Sequence, residues 1–223
     1  RGTTYVDVVL EANPLNRSWR VRRRGLGDLP GPVLGEVAPE WRAHFAEVER
    51  VHSSFLQPAT VAEVKLNRES GRFNVHVVLP EPQLAVPRNN APEDAAVLRV
   101  GDMLVVDTSV GEFGAAELEA RSPGHWFVGL VSMDGAALVT LDGRVLGAVA
   151  GEDGEAAPAW LEGFAQGGLW ARAVLLDGMA ALDAAPPDEG TDTVPALAEA
   201  PQRRPEPWQL IEFPGGGWAV TVQ

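Results

Sequence analysis

"YVDVVLEANPLNRSWRVRRR", residues 5–24, decides how the first third of this chain is read. Five arginines fall within positions 17–24 of a chain whose formal net charge is -13. Such a run serves either as a grip on phosphates or as the wet face of a strand. Tyr5 to Ala12 and Arg17 to Arg24 are both strand-like, and Asn13-Pro14-Leu15-Asn16 between them opens like a type I turn. Closing a four-residue loop pairs Ala12 with Arg17, Leu10 with Trp19 and Val8 with Val21 on one face. The other face then holds Glu11 with Ser18, Val9 with Arg20, Asp7 with Arg22 and Tyr5 with Arg24. A one-residue slip would mix the two sets, so burial selects this alternation. It puts Trp19 inside and leaves Arg20, Arg22 and Arg24 as a solvated stripe partly answered by Asp7.

The same arithmetic applies to "VAEVKLNRESGRFNVHVV", residues 61–78, which turns over Arg68-Glu69-Ser70-Gly71. Leu66 then faces Phe73, Val64 faces Val75 and Ala62 faces Val77, while Lys65 meets Asn74 and Glu63 meets His76. Between the two hairpins, Trp41, Phe45, Val48, His52 and Phe55 recur at helical spacing after Pro39, which predicts one helix whose apolar seam includes Trp41. The N-terminal part therefore reads as a ββαββ layer, its helix lying on a four-stranded sheet.

From Ala95 to Ala150 the pattern is β, in the short runs "VLRVGDMLVVDTS", "AAELEA", "HWFVGLVS", "AALVTL" and "RVLGAVA". Asp134-Gly135 and Asp142-Gly143 are two-residue hairpin turns. Gly151 to Glu155 reads as a polar loop, and "APAWLEGFA" and "GLWARAVLLDGMAALDA" read as two helices, the second weakened by Gly178. Residues 185–207, with six prolines, read as a linker or extended wrap before a returning hairpin of "WQLIEF" and "GWAVTV". The expected fold is α+β: an N-terminal ββαββ subdomain over 1–90, then a β-rich subdomain over 91–223. The latter comprises a central antiparallel β barrel or half-sandwich, short helices within 151–184, the linker and the C-terminal hairpin at 208–223.

Composition excludes several chemistries. The 223 residues include no cysteine, so a disulfide framework, a thiolate nucleophile and a cysteine metal site are all ruled out. With 31 acidic against 18 basic residues, the whole chain repels phosphate backbones and favours a partner with a basic surface. No apolar run is long enough for a membrane-spanning helix, and the expected compartment is the cytoplasm. The chain opens on Arg1, which leaves room for a trimmed upstream segment. Lys65 is the sole lysine in an Ala-, Gly-, Val-, Pro- and Arg-rich sequence, the coding bias of a GC-rich bacterial genome.

His44, His52, His76 and His125 are scattered without metal-ligand spacing, so neither a metal nor a cofactor is expected. No G-x-S-x-G is present, and "PGGGW" lacks the spacing and the following helix of a phosphate loop. "RVGDMLVVDTSVGEFG", residues 99–114, carries three family resemblances. Gly101-Asp102 with Asp107 is similar to the self-cleaving LexA and UmuD peptidase domain, but the lysine precedes Ser132, so that dyad does not transfer. Asp107-Thr108-Ser109-Val110-Gly111 resembles the D-x-S-x-x-G of PilZ cyclic-dinucleotide receptors, with its glycine one position early. Leu98 to Leu104 with Asp107, after Val75 to Leu79, Leu84 and Val86, resembles the "L-x-x-G-D-x-L-x-x-D" outline of the surface-presentation (SPOA) module. That resemblance implies a component of a flagellar or type III secretion C-ring.

The reading that follows is a non-catalytic protein-binding module, an adaptor or inhibitor. Its candidate binding residues are Arg20, Arg22 and Arg24 of the stripe and the tryptophans Trp126, Trp208 and Trp218, which have no assigned core face. Besides the SPOA reading there are two alternatives. One is an enzyme built on Glu152, Asp153 and Glu155; the other is nucleic-acid binding through the arginine stripe of residues 17–24, which burial of Trp19 would undercut.

Overall fold

A computed structural model describes residues 3–25, 30–165 and 167–199, together with the backbone of strands 208–213 and 217–222. The chain divides into two compact units, residues 1–78 with 199–223, and residues 79–198. It is β-rich, with few and short helices.

The first unit contains β1 (Thr3–Ala12), β2 (Trp19–Arg23), β3 (Val33–Val37), α1 (Pro39–Arg42), α2 (Val48–Ser53), β4 (Ala59–Asn67) and β5 (Arg72–Val78). Its antiparallel sheet has the order β3-β2-β1-β4-β5, five strands where four were expected. The β4–β5 hairpin has the expected register, Leu66 opposite Phe73 and Glu63 opposite His76. The first hairpin does not: Ala12 pairs with Trp19 and Leu10 with Val21, a shift of two residues. The loop is Asn13–Ser18, longer than a simple type I turn, because its own side chains hold it. Asn13 Oδ1 accepts from Leu15 N at 3.1 Å, and Asn16 Oδ1 accepts from Ser18 N at 3.0 Å and Ser18 Oγ at 2.7 Å. Arg17 takes up the reversal at φ 59°. Since side-chain direction repeats every two residues, the slip exchanges partners but keeps faces. Val8, Leu10, Trp19 and Val21 are accordingly all buried.

The single expected helix is instead two. Bonds such as His44 N to Trp41 O, Phe45 N to Arg42 O and Val48 N to Phe45 O span three residues, so the connection winds tighter than an α-helix and rotates side chains off a 3.6-residue seam. Phe45 and Val48 still reach the sheet, with the Phe45 ring 5.9 Å from Trp19. Trp41, expected inside, is 66% exposed, and Phe55, at φ 59° beyond α2, is 98% exposed.

The second unit contains β6 (Ala96–Leu98), β7 (Asp102–Asp107), α3 (Ala115–Ala120), β8 (Gly124–Met133), β9 (Ala136–Leu141), β10 (Arg144–Val149), α4 (Gly151–Trp160), β11 (Leu169–Leu176), β12 (Met179–Ala184) and β13 (Thr191–Asp192). Antiparallel pairings run β12-β7-β10-β9-β8-β11, and β11 also pairs with β12, so six strands close on themselves. Inside lie Leu104, Val106, Val128, Leu130, Val139, Leu141, Leu146, Leu175 and Leu182. β6 adds parallel to β11, and β13 pairs with β6.

Three sequence expectations fail here. "AAELEA" is α3 and not a strand, with Glu117 Oε2 accepting from Gly114 N at 3.0 Å at its start. Gly151 to Glu155 is the first half of α4 and not a loop. "GLWARAVLLDGMAALDA" is the hairpin β11–β12 and not a helix. Its Ala and Leu content favours helix, but Leu169, Ala171, Ala173 and Leu175 are buried in strict alternation, and tertiary pairing overrides propensity. Asp177-Gly178, at φ 50° and 75°, repeats the turn made by Asp134-Gly135 and Asp142-Gly143.

Residues beyond Ala184 remain partly fastened, since Asn90 exchanges two hydrogen bonds with the Leu197 backbone. The expected final hairpin is present as β14 (Trp208–Phe213) and β15 (Gly217–Val222). No helix among the described residues is long and apolar enough to cross a membrane.

Candidate functional site

The arginine stripe lies on the face of the first sheet opposite Trp19. Trp19 is fully buried, its indole N–H donating to Glu49 at 3.3 Å, so it takes no part in a basic surface. Arg20 and Arg22 alternate outward along β2. Arg20 comes within 3.9 Å of Glu36, and Arg22 Nε donates to Glu11 at 2.6 Å. A second Arg22 nitrogen donates to the Gly31 carbonyl at 2.7 Å. The anticipated answering charge, Asp7, is replaced by Glu11, a consequence of the two-residue slip. Arg22, Arg23, Arg24, Gly25, Pro30 and Gly31 border an open groove of about 450 Å³ floored by Val9 and Ala59.

Of the candidate tryptophans, Trp126 is half-buried against the barrel core. Its N–H donates to Arg121 O at 3.3 Å, and Arg88 lies 5.7 Å over its ring, so packing accounts for it. Trp208 and Trp218 sit on β14 and β15, and their side chains lie outside the described residues. Glu152, Asp153 and Glu155 stand exposed on α4. Among the described residues, no group of three His, Asp or Glu could hold a metal ion.

Two carboxylates are structural. Burial pushes the Glu49 carboxyl up, but His52 and Arg42 outweigh it and hold its pKa at about 2. Arg42 bonds it through two nitrogens, at 2.8 and 2.7 Å, and His52 Nδ1 lies 3.8 Å away. On the barrel, hydrogen bonds from Arg144 and from Gly114 N hold Glu117 at about 2. Desolvation, and next the Arg172 charge, depress the pKa of half-buried His125.

Charge is divided unevenly in a way composition alone conceals. Residues 79–198 hold 19 of the 31 acidic side chains and five of the 18 basic ones, a net charge of -14; residues 1–78 with 199–223 hold 12 acidic and 13 basic. On the outer face of the strongly acidic barrel lies an apolar patch. Register places Val105 beside Ala181, Ala181 beside Val174, and Met179 beside Leu176, with Met103 two residues along β7. Met103, Val105 and Met179 are 53%, 63% and 68% exposed. Asp102 and Asp107 stand at the two ends of β7, Asp177 in the turn before Met179, and Asp183 opposite Met103. Hydrogen bonds from the Ser109 side chain and backbone lower the Asp107 pKa, so this rim carboxylate stays ionised.

The patch is not visible in the sequence because the Ala and Leu content of residues 169–184 predicts helix, which hides the neighbour that makes Met103 and Val105 part of a continuous surface. The Asp-Gly pair at 177–178 was the available signal. The Gly101-Asp102 pair has a packing reason: a Cβ on Gly101 would collide with the Ala184 and Ala185 backbone, and Asp183 accepts from Gly101 N at 2.9 Å. Comparison with protein-family models, curated proteins and solved structures finds no match.

Proposed function

We propose that the protein is a non-catalytic binding module, an adaptor or inhibitor that engages a protein partner through the outer face of β7, β12 and β11. The supporting observation is the exposed Met103–Val105–Met179 patch with four aspartates around it, on a unit of net charge -14. Exposed apolar surface loses water favourably only when covered, and a contiguous patch rimmed by polar groups is the usual form of a docking site. Methionine side chains suit such a face because they adapt to the shape presented. The carboxylate rim selects an occupant with apolar residues flanked by Arg or Lys, and like-charge repulsion disfavours acidic competitors.

The test is a titration of the full chain with a peptide alternating Leu and Lys, read by calorimetry, beside the Leu–Glu counterpart and the variant V105D/M179D. Both positions are exposed, so the variant should fold. Saturable binding of the Leu–Lys peptide, lost in the variant and absent with Leu–Glu, is the expected result. Equal binding by wild type and variant would refute the proposed surface.

A further inference from the structure

Besides its interior, the second unit has a smaller apolar cluster in which Ala91, Ala95, Val97 and Phe127 are buried and Trp170 is packed against them. Val97, Phe127 and Trp170 alternate with Leu98, Val128 and Leu169, which fill the interior, so this cluster lies outside the ring. Residues 191–198, "TDTVPALA", run against it in the manner of a bound peptide. Thr191 and Asp192 pair with Leu98 and Val97 of β6, and Val194 packs on the cluster. At Leu197 the Asn90 side chain takes both backbone groups: Nδ2 donates to Leu197 O at 2.9 Å, and Oδ1 accepts from Leu197 N at 3.0 Å. Asn89 makes the same reciprocal pair with Phe127 of β8, at 2.8 and 2.7 Å, which anchors the loop and presents the next amide. From Thr191 to Ala198 the half-buried positions are 191, 194 and 197, and the rest are exposed. A period of three is that of polyproline II, and Pro195 favours extended backbone at Val194.

We infer that the outer face of β6, β8 and β11 beside Asn90 is a groove for an extended peptide of a partner protein with the pattern Asp-x-Val-Pro-x-Leu, occupied in cis by residues 191–198. Each part of the pattern has its reader. Arg99 Nε donates to Asp192 at 3.2 Å, the apolar cluster takes Val194, and Asn90 holds the backbone at Leu197. Backbone bonds supply affinity and side-chain pockets supply selection, as in peptide recognition by added strands and polyproline grooves. A segment with most of its side chains in water opens easily, and an outside peptide then competes with a tethered one at an effective concentration of order millimolar. Met103, Val105 and Met179 are not part of this cluster.

The probe is a fluorescein-labelled peptide of residues 190–198, titrated into the full chain and read by anisotropy. Val194→Asp unseats the internal segment and should tighten binding of the peptide by about tenfold or more, since apparent affinity scales with the fraction of open groove. Adding Asn90→Ala to that variant removes two hydrogen bonds to the peptide and should weaken binding by about tenfold. In the wild-type chain, millimolar peptide should speed hydrogen exchange over residues 193–198 while β8 stays protected. This measurement needs no variant, so it decides the matter even where V194D unfolds. No change in exchange, equal affinity of wild type and V194D, or undiminished binding by N90A/V194D overturns the proposal. So does a wild-type dimer that V194D abolishes, which would give the groove to a second copy of this chain.

Discussion

Replacing Glu49 with Gln tests what holds α1 and α2 to the sheet. Its carboxylate joins Arg42 of α1, Trp19 of β2 and His52 of α2. The pKa drop from 4.5 to about 2 reports the preference of the folded state for the ionised form. At about 1.4 kcal/mol per tenfold in proton affinity, that preference amounts to at most about 3 kcal/mol, which partial exposure trims to about 2 kcal/mol. Gln keeps the shape and an acceptor for the Trp19 N–H but removes the charge. Because the folded pKa is depressed, the stabilisation is complete above pH 4.5 and disappears as the pH falls toward 2. Hydrogen exchange of peptides covering β1 and β2 reads the opening free energy of this sheet separately from the barrel. E49Q should lower it by about 2 kcal/mol at neutral pH, with the gap to wild type closing below pH 4.5. A loss under about 0.5 kcal/mol, or a gap that stays constant through that range, would refute the argument.

Two further outcomes are expected. Trp19→Ala should destabilise the first unit by about 3 to 5 kcal/mol in denaturant titration, whereas Trp41→Ala, at a position first expected in the core, should change it by under about 0.5 kcal/mol. His125 has a pKa below 6.5 when folded, so barrel stability should fall as the pH drops through 6.5 and the unfolded chain takes up the proton. His125→Gln should flatten that slope in exchange measurements on β8, and an unchanged slope would assign it to other groups.

Where two levels of pattern agreed, the residues disclosed the fold. Alternation in 61–78, with Asn67 Oδ1 accepting from Glu69 N and Ser70 N, left one register open, and the strands take it. In the first hairpin alternation identified the faces, but the loop length depended on side-chain bonds from Asn13 and Asn16 that spacing does not reveal. For 169–184, Ala and Leu gave helical propensity while Asp177-Gly178 signalled a turn, and only the neighbouring strands decided between them. The candidate sites were less legible for a related reason. Arg20, Arg22 and Arg24 are adjacent in sequence, whereas the barrel patch assembles from strands more than seventy positions apart, and no local window contains it.

Closure of the second unit has a consequence for synthesis from the ribosome. β7 emerges early, but one of its neighbours, β12, is among the last elements of the unit to be made. Until residues 179–184 arrive, β7 and β11 each present an unsatisfied edge to any strand nearby, the situation that promotes mispairing between nascent chains. A chain stopped after Leu176 would be left in that state permanently, which makes the short stretch from Met179 to Ala184 the keystone of the ring.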